Sequence, residues 1–376
     1  MADRSPPWRI AVITGCRADF GLLRPVMRAI VADNDLTLQT IVTGLHLLPE
    51  MNTRHEVAEE FDIAAEVVMQ DQSKTGRAAD TAALGRGIIG LSTAFEHLNS
   101  AVVLVLGDRI EAFAAAAAGS IGGRLVAHLH GGDRAEGVAD EAMRHAITKL
   151  AHVHFPATAQ SAERLKRMGE REDSIHLVGS PAIDDLASFG PLSDAQLASH
   201  HLDPARPFAV VLHHPTGLDD AAEFAAMSAI LSATDAAFEG NFAVGAANHD
   251  PGRAGVLRAL GDRRVLPHLA REQFIGLLRR AAMLIGNSSA GLIEAAALGL
   301  PVVNIGPRQA GRERGGNVID VHEPTAASIA AAINEAFTRP RTLNHPYGDG
   351  QTAQRIADVL AALRLNPPTT RKHNVY

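Results

Sequence analysis

The feature that most constrains this chain is an uninterrupted apolar run, Val102–Leu106, which ends abruptly in the polar sequence Gly107-Asp108-Arg109. Such a run is typical of a strand covered on both faces, as in a parallel sheet between helices. After an alanine-rich stretch the pattern repeats, with apolar Leu125–Leu129 followed by His130-Gly131-Gly132-Asp133. Because carboxyl ends of neighbouring parallel strands meet at one edge of a sheet, we expect both polar turns to lie where open α/β folds bind ligands.

The next predicted helix adds ionisable groups to this edge. It begins at about Asp140 and carries Glu141 and Arg144. Taken singly, Asp108 and Asp133 are equally well explained as helix caps, a common role of aspartate. Two adjacent strand–helix turns together with this helix favour a functional site over two separate helix caps. We therefore interpret the region as the wall of an active site.

Strands alternate with helices along the whole chain, which favours an α/β fold of doubly wound parallel sheets. With 376 residues, we expect two Rossmann-like domains that face each other across a cleft. The predicted domains are residues 1–186 and 207–350, joined by a linker at 187–206 that contains several prolines and glycines. Residues 351–376 are expected to form a helix and tail that cross back to the first domain. A further strand is predicted at Ser174–Val178.

Composition excludes several classes of protein. A net charge of -7 and a pI near 6.2 argue against a nucleic-acid surface, which needs a basic stripe. Cys16 is the only cysteine, so no internal disulfide can form. No zinc-finger or H-E-x-x-H spacing is present, so no metal is expected. The chain has neither a signal-peptide pattern nor an apolar run of about 18 residues, and we expect a cytoplasmic protein that does not span a membrane.

The first strand–helix turn is a candidate anion site. Trp8–Thr14 is predicted as a strand, and Arg17 follows it in the turn, where helix N–H groups and a guanidinium can bind an anion together. The turn lacks a G-x-G-x-x-G sequence, so dinucleotide binding is not expected.

A turn rich in glycine and serine is the candidate phosphate site of the second half. Gly286–Gly291 lies between a predicted strand and a helix, so its backbone N–H groups can approach phosphate oxygens, and Ser288 and Ser289 add hydroxyl donors. Glu294 lies in the first turns of that helix, where its carboxylate would repel phosphate. It is predicted to bind a neutral hydroxyl pair such as a ribose, although complementarity to the helix dipole explains it equally well.

Two further strand ends carry cations. One loop contains Arg308, Arg312 and Arg314 between glycines, which suits a diphosphate or, alternatively, a solvated basic loop. His213 and His214 end another strand. Successive side chains of an extended backbone alternate, so only one can face the site, and we select His214, which precedes a proline.

The assembled motifs resemble those of the hydrolysing UDP-N-acetylglucosamine 2-epimerases of the sialic-acid type. The resemblance extends from residue 13 to residue 321 and is carried by ITGCRADFGLLRPVMRAI, VLGDRIEAFAAA, HLHGGDRAEG, DEAMRHAITKLAHVHF, the His214-Pro215 pair, NHDPG and GNSSAGLIEAAALGLPVVNIGPRQAGRERGGNVIDV. It implies a glycosyltransferase-B-like fold of two Rossmann-type domains, with the nucleotide held mainly by the second.

The resemblance also implies residue roles. The catalytic candidates are Asp108, His130, Asp140, Glu141 and His214. The candidates for binding substrate or nucleotide are Arg17, Asp19, Arg109, Asp133, Asn248, Asp250, Ser288, Ser289, Glu294, Arg308 and Arg312. Among these, the two serines are expected at the phosphates, Glu294 at the ribose, and Arg17 and Arg308 near the diphosphate.

The implied chemistry is anti elimination of the nucleoside diphosphate across C1 and C2, followed by addition of water at C1 and of a proton at C2 from the opposite face. The residue types fit, because carboxylates can accept and return the proton, while a protonated His214 and the arginines offset charge on the leaving diphosphate. Neither a metal nor another cofactor is required. The expected partner is the nucleotide-sugar substrate, and we expect a homo-oligomer, either a dimer or a tetramer.

One position departs from the sialic-acid pattern, in which IEGGE is common. This chain has LHGGD at Leu129–Asp133, so His130 replaces a carboxylate. An unperturbed histidine, with a pKa of about 6.5, can shuttle a proton but does not reliably carry negative charge. The His-Gly-Gly-acid form resembles the branch that acts on sugars for legionaminic-acid synthesis.

The candidate substrates are therefore UDP-N-acetylglucosamine, UDP-N,N'-diacetylbacillosamine and GDP-linked N-acetylglucosamine. The competing functions are a non-hydrolysing 2-epimerase, a glycosyltransferase of the same fold and a nucleotide-sugar sensor without turnover.

Overall fold

The computed structural model describes residues 7–71, 76–134, 141–248, 251–266, 269–341, 344–365 and 369–375. Contacts divide the chain into two compact units. Unit 1 contains the chain up to Asp133, the stretch that ends at Asp184 and the residues from Gly348 onward, and unit 2 contains Asp185–Tyr347. Among the helices of these ranges, none is long and apolar enough to cross a membrane.

Unit 1 is an α/β body on one parallel sheet. Its strands are β1 (Trp8–Thr14), β2 (Leu36–Thr43), β3 (Ile63–Val67), β4 (Val102–Leu106), β5 (Leu125–Leu129) and β6 (Val153–Phe155). The helices between and after them are α1 (Arg17–Ala32), α2 (Arg54–Ala58), α3 (Arg77–His97), α4 (Ile110–Ile121), α5 (Glu141–Leu150) and α6 (Ala159–Arg167). The strand order β3-β2-β1-β4-β5-β6 reverses between β1 and β4, where folds of this kind bind ligands at the carboxyl edge.

Unit 2 is a second α/β body. Its strands are β7 (Ala209–Leu212), β8 (Phe242–Val244), β9 (Met283–Gly286), β10 (Val302–Ile305) and β11 (Val318–Val321), in the parallel order β11-β10-β9-β7-β8. Its helices are α7 (Asp194–Ser199), α8 (Asp220–Phe238), α9 (Arg253–Leu260), α10 (Arg271–Arg280), α11 (Ser289–Leu292), α12 (Glu294–Ala297) and α13 (Ala326–Thr338). The predicted α/β class with two doubly wound parallel sheets is therefore confirmed.

The apolar runs lie in the core because both faces of each sheet are covered. In β4, Val102 and Leu104 belong to one core cluster, and Val103 and Val105 belong to the cluster on the opposite face. All four side chains have no exposed surface. β4 pairs with β5 in parallel register, so the turns that follow the two strands leave the sheet at the same edge.

The structure corrects the prediction of a strand at Ser174–Val178. Only Ile175 forms a bridge there, to His154. The neighbouring strand β6 is three residues long and is followed by Pro156, which has no N–H to extend the ladder. The strands β3 and β11 are not predicted from the sequence, because each is an edge strand that contains a charged residue.

Residues 187–206, predicted as a linker, belong to unit 2. They contain α7, which Ser193 caps in a capping box with Gln196. The segment is anchored by three buried side chains, Leu192, Leu197 and Leu202. Leucines five residues apart fit neither a helical nor a strand period, so the sequence pattern does not show that the segment is packed.

The C-terminal helix α14 (Thr352–Leu365) is part of unit 1, where it packs against α1. Asp184, which is buried, caps its first turn. One carboxylate oxygen of Asp184 accepts from the N–H of Thr352 (3.1 Å), and the other accepts from the N–H of Ala353 (2.6 Å). Because the cap comes from a residue 168 positions earlier, it joins two distant parts of the chain.

We expect Asp184→Ala to lower the free energy of unfolding of unit 1 by about 1–2 kcal/mol, because a lost N-cap leaves helix N–H groups without an acceptor. Asp184→Asn retains one acceptor oxygen and should lose less. Urea unfolding followed by circular dichroism measures both, with the exposed Asp262→Ala as the control. Equal stability of Asp184→Ala and the wild type would contradict the capping role.

Candidate active site

Asp108 lies in the turn that follows β4, where a buried cation pairs with it. Its carboxylate forms an ion pair with Arg144 of α5. Arg144 is 3% exposed, and its Nη1 also donates to the carbonyl of Asp133 (3.0 Å). The N-cap of α4 is Arg109, so Asp108 does not occupy the capping position that was its alternative explanation. One guanidinium therefore joins the turns that follow β4 and β5.

His130 and Asp133 form a buried pair in the turn after β5. His130 has a φ of 64°, which is unusual for a residue other than glycine. Its Nδ1 lies 2.8 Å from Oδ2 of Asp133, and its Nε2 lies 3.0 Å from the hydroxyl of Ser180. The hydroxyl of Ser161 donates to the other Asp133 oxygen (2.9 Å). In this arrangement the imidazole of His130 can take up a proton at one ring nitrogen and release one from the other. A role as proton shuttle stays a prediction.

Glu141 is the first residue of α5 and stands beside a histidine. Its Oε1 lies 3.5 Å from Nε2 of His145, and both side chains are partly exposed. Burial lowers the pKa of His145, so this imidazole is neutral at physiological pH. A carboxylate such as that of Glu141 is a group that can act as a general base. Asp140, the other predicted carboxylate of this turn, lies outside the described residues.

Asp19 is the centre of a hydrogen-bond chain that the sequence analysis does not predict. Its carboxylate accepts from the hydroxyl of Thr14 and from the N–H of Gly15 (2.9 Å). Oγ1 of Thr14 lies 3.0 Å from Nε2 of His46, whose Nδ1 lies 2.6 Å from Oγ1 of Thr53. Burial raises the pKa of Asp19 to about 6 and lowers the pKa of His46 to about 4. His46 follows β2 in a polar segment whose sequence gives no sign of this burial.

The predicted anion-binding arginines of unit 1 both contact carboxylates. Nε of Arg17 donates to Oε2 of Glu56 (2.7 Å), and Nε of Arg109 donates to Oε2 of Glu111 (3.3 Å). Glu111 is 2% exposed. A Cβ atom added at Gly15 would lie 2.7 Å from its Cγ, so the glycine leaves room for this carboxylate. Sequence reasoning missed Glu111, although a charge inside the apolar helix IEAFAAAAA is a signal that could have revealed it.

In unit 2, the side-chain amide of Asn287 holds the backbone of His214. Oδ1 of Asn287 accepts from the N–H of His214 (2.7 Å), and Nδ2 donates to its carbonyl (2.8 Å). The ring Nδ1 accepts from the N–H of Asn248 (3.3 Å). Burial, together with the charge of Arg308, lowers the pKa of His214 to about 3. The imidazole of His214 is therefore neutral in the free protein, and its protonation opposite a departing diphosphate stays a prediction.

The predicted phosphate turn and the arginine loop lie together. Nη1 of Arg308 and Nε2 of Gln309 both donate to the carbonyl of Asn287, at 3.3 and 2.9 Å. Ser288 is the N-cap of α11, and its hydroxyl accepts from the N–H of Ala290 (3.4 Å). Ser289 is the first residue of that helix, and Arg312 lies in the same loop as Arg308. Arg314 pairs instead with Asp320 (3.1 Å).

Glu294 has a partner that the sequence analysis did not select. Its Oε1 lies 3.3 Å from Nη1 of Arg271, and both side chains are largely buried. Binding of a ribose by Glu294 stays a prediction. Asp250 lies outside the described residues. Within them, no group of three or more His, Cys, Asp and Glu side chains is arranged to hold a metal ion.

The raised pKa of Asp19 gives the protein a pH-dependent stability. Folded Asp19, with a pKa of about 6 against an ordinary 3.8, binds its proton more tightly than the unfolded chain does, so its contribution to stability falls as the pH rises from 4 to 6. We expect Asp19→Asn to gain stability relative to the wild type across this interval and to show a constant difference above pH 7. Chemical unfolding at several pH values measures this difference. A difference that does not change with pH would contradict the raised pKa.

Comparisons with known proteins place the chain among sugar epimerases. The family model described as UDP-N-acetylglucosamine 2-epimerase matches residues 28–361. The chain is 36% identical, over 98% of its length and 99% of the relative's, to a Legionella pneumophila protein named UDP-N,N'-diacetylbacillosamine 2-epimerase (hydrolyzing). It is 31% identical, over 94% of both chains, to a Neisseria meningitidis protein named UDP-N-acetylglucosamine 2-epimerase.

The solved structure of Methanocaldococcus jannaschii UDP-GlcNAc 2-epimerase, in complex with UDP-GlcNAc and UDP, resembles this chain with a TM-score of 0.80 at 19% identity. The match covers 94% of this chain and 99% of that one, and the predicted glycosyltransferase-B-like fold is confirmed. Because the family model matches most of the sequence and two relatives exceed 30% identity over nearly the full length, this chain belongs to the UDP-N-acetylglucosamine 2-epimerase family.

Proposed function

We propose that this protein is a hydrolysing 2-epimerase, which acts on a nucleotide-linked N-acetylated hexosamine and releases the free 2-epimer and the nucleoside diphosphate. The observation that carries the proposal is similarity over 98% of the chain to a relative named as a hydrolysing enzyme. The site in unit 1 supports it, because Asp108 follows β4 and Glu141 follows β5 in the chain. These two neighbouring parallel strands end at the same edge of the sheet. Proton removal and return at a sugar carbon require such groups.

The proposed reaction has two steps. A base removes the proton from C2 while the bond between C1 and the diphosphate oxygen breaks, and the electrons of that bond leave with the nucleotide. The product of this elimination is a 2-acetamidoglucal. Water then adds its oxygen to C1, and C2 receives a proton on the opposite face, which inverts its configuration. Asp108, Asp140 and Glu141 are the candidates for the two proton transfers at C2, and His130 is the candidate shuttle.

We assign nucleotide binding to unit 2, with Ser288, Ser289 and Arg308 at the phosphates and Glu294 at the ribose. His214 is neutral in the free protein because its pKa is lowered to about 3. A bound diphosphate brings negative charge, which favours the imidazolium form of a nearby histidine. Substrate binding and protonation of His214 are therefore coupled in this proposal, and the charged ring then stabilises the leaving group.

For the substrate we propose UDP-N,N'-diacetylbacillosamine, with UDP-N-acetylglucosamine and GDP-linked N-acetylglucosamine as alternatives. The Legionella relative is named for the first of these, and His130 stands where the sialic-acid type carries a carboxylate. The released sugar would then serve legionaminic-acid synthesis. We further propose that the enzyme acts in the cytoplasm as a homo-oligomer.

Turnover of these three nucleotide sugars in deuterated water tests the function. We expect free nucleoside diphosphate and a free 2-epimeric sugar that carries deuterium at C2, both detected by NMR. A 2-epimer that remains attached to its nucleotide would indicate a non-hydrolysing epimerase, and nucleotide release only with an added acceptor would indicate a glycosyltransferase. Binding without any turnover would indicate a sensor.

We expect Asp108→Asn to lower kcat by about a hundredfold or more, the scale of a lost acid or base. Affinity for free nucleotide should be unchanged, because the nucleotide is assigned to unit 2. Steady-state kinetics and calorimetric titration with nucleoside diphosphate measure the two effects, with Asp262→Asn as the matched control. Near-normal kcat in Asp108→Asn would show that Asp108 does not act at the reacting carbon.

A further inference from the structure

Behind Asp108 lies a buried histidine that has no role in the proposed reaction. His128 is in β5, opposite Val105 of β4, and its side chain has no exposed surface. Nε2 of its ring lies 2.8 Å from the carbonyl oxygen of Gly107, and Nδ1 lies 3.2 Å from the hydroxyl of Thr148. An apolar residue is expected at the centre of such a strand. The contacts of the two ring nitrogens explain why a histidine stands there instead.

The partners determine where the protons of this group lie. A carbonyl oxygen can only accept, so Nε2 of His128 carries the hydrogen and donates to Gly107. Burial lowers the pKa of His128 to about 3, which leaves the ring neutral and Nδ1 without a hydrogen. The hydroxyl of Thr148 therefore donates to Nδ1. The direction of every hydrogen bond from Thr148 to Gly107 is thereby defined.

The carbonyl that His128 holds belongs to the peptide bond between Gly107 and Asp108. Gly107 has a φ of 73°, a conformation in which glycine is less restrained than other residues. Helix α5 supports this turn directly through Arg144, which pairs with the Asp108 carboxylate. It also supports the turn indirectly, because Thr148, one helical turn later, contacts the ring of His128. Gly131 leaves room for the ring, because a Cβ atom added there would lie 2.9 Å from Nδ1 of His128.

We propose that His128 and Thr148 are positioning residues for Asp108, which fix the peptide plane that precedes it and so aim its carboxylate at C2 of the sugar. The inference rests on the proposed function. It adds two residues that touch no substrate and act through the backbone of Gly107. A shift of about 1 Å in a reacting group can cost about a hundredfold in rate, so the support of a flexible glycine turn has a direct kinetic effect.

Four single variants separate this role from general stability. His128→Leu removes both ring nitrogens and should lower kcat by about 10- to 100-fold with KM nearly unchanged. His128→Gln places an amide N–H near the position of Nε2 and should recover most of the lost kcat. Thr148→Val should lower kcat less than His128→Leu does. Thr148→Ser retains the hydroxyl and should keep kcat near the wild-type value. The exposed His97→Leu is the matched control.

A double-mutant cycle with Asp108→Asn gives a readout that a merely structural residue would not move. If His128 acts through Asp108, His128→Leu should add little to the loss of kcat that Asp108→Asn already causes. Multiplied losses in the double variant, or wild-type kcat in both His128→Leu and Thr148→Val, would overturn the inference. If His128→Leu does not fold, the same cycle is read with Thr148→Val, which removes a single hydroxyl.

Nitrogen-15 NMR of labelled histidine provides a test that does not depend on activity. We expect His128 to be the neutral Nε2–H tautomer from pH 5 to pH 8, and a protonated ring or the Nδ1–H tautomer would overturn the inference. In the kinetic experiments, turnover by the wild-type protein is measured before the variants are compared. Its absence with all three nucleotide sugars would refute the proposed function and this inference together, whereas turnover with unaffected variants would refute the inference alone.

Discussion

The ion pair between Asp108 and Arg144 is the interaction on which the candidate site of unit 1 depends. A guanidinium with 3% exposure requires a charged partner, because an unpaired buried charge is strongly destabilising. Asp108 is that partner, and the same guanidinium also binds the carbonyl of Asp133. The same ion pair therefore neutralises the buried charge of Arg144 and fixes the position of the Asp108 carboxylate in advance of any reaction.

Buried histidines serve this chain as neutral hydrogen-bonding groups. Burial lowers the pKa values of His46, His128 and His214 to between about 3 and 4. A neutral imidazole has one donor and one acceptor nitrogen, so each ring can join two groups in a defined direction. The opposite effect at Asp19, whose pKa burial raises to about 6, places one carboxyl group near its protonation midpoint in mildly acidic solution. Both effects follow from the cost of charge in a poorly solvated interior.

The fold was predictable wherever a strand is covered on both faces. β1, β4 and β5 have the predicted bounds, because a parallel strand between two helical layers is mostly apolar and its limits are visible in the sequence. The prediction failed at the edges of the sheets, where β3 and β11 tolerate Glu66 and Asp320 and Ser174–Val178 lacks a full partner strand. The packed segment at 187–206 was also missed, since its leucines follow no regular period.

The sequence by itself determined the α/β class, the polar turns at the strand ends and the family, because these depend on local apolar patterns and on motifs written in consecutive residues. Only the tertiary structure decided which charges are neutralised and which remain available. Arg144 with Asp108, Arg17 with Glu56, Arg109 with Glu111 and Arg271 with Glu294 are pairs that the sequence analysis did not identify. Protonation states and ion pairs depend on burial and on distances between atoms, and these exist only when segments far apart in the chain have come together.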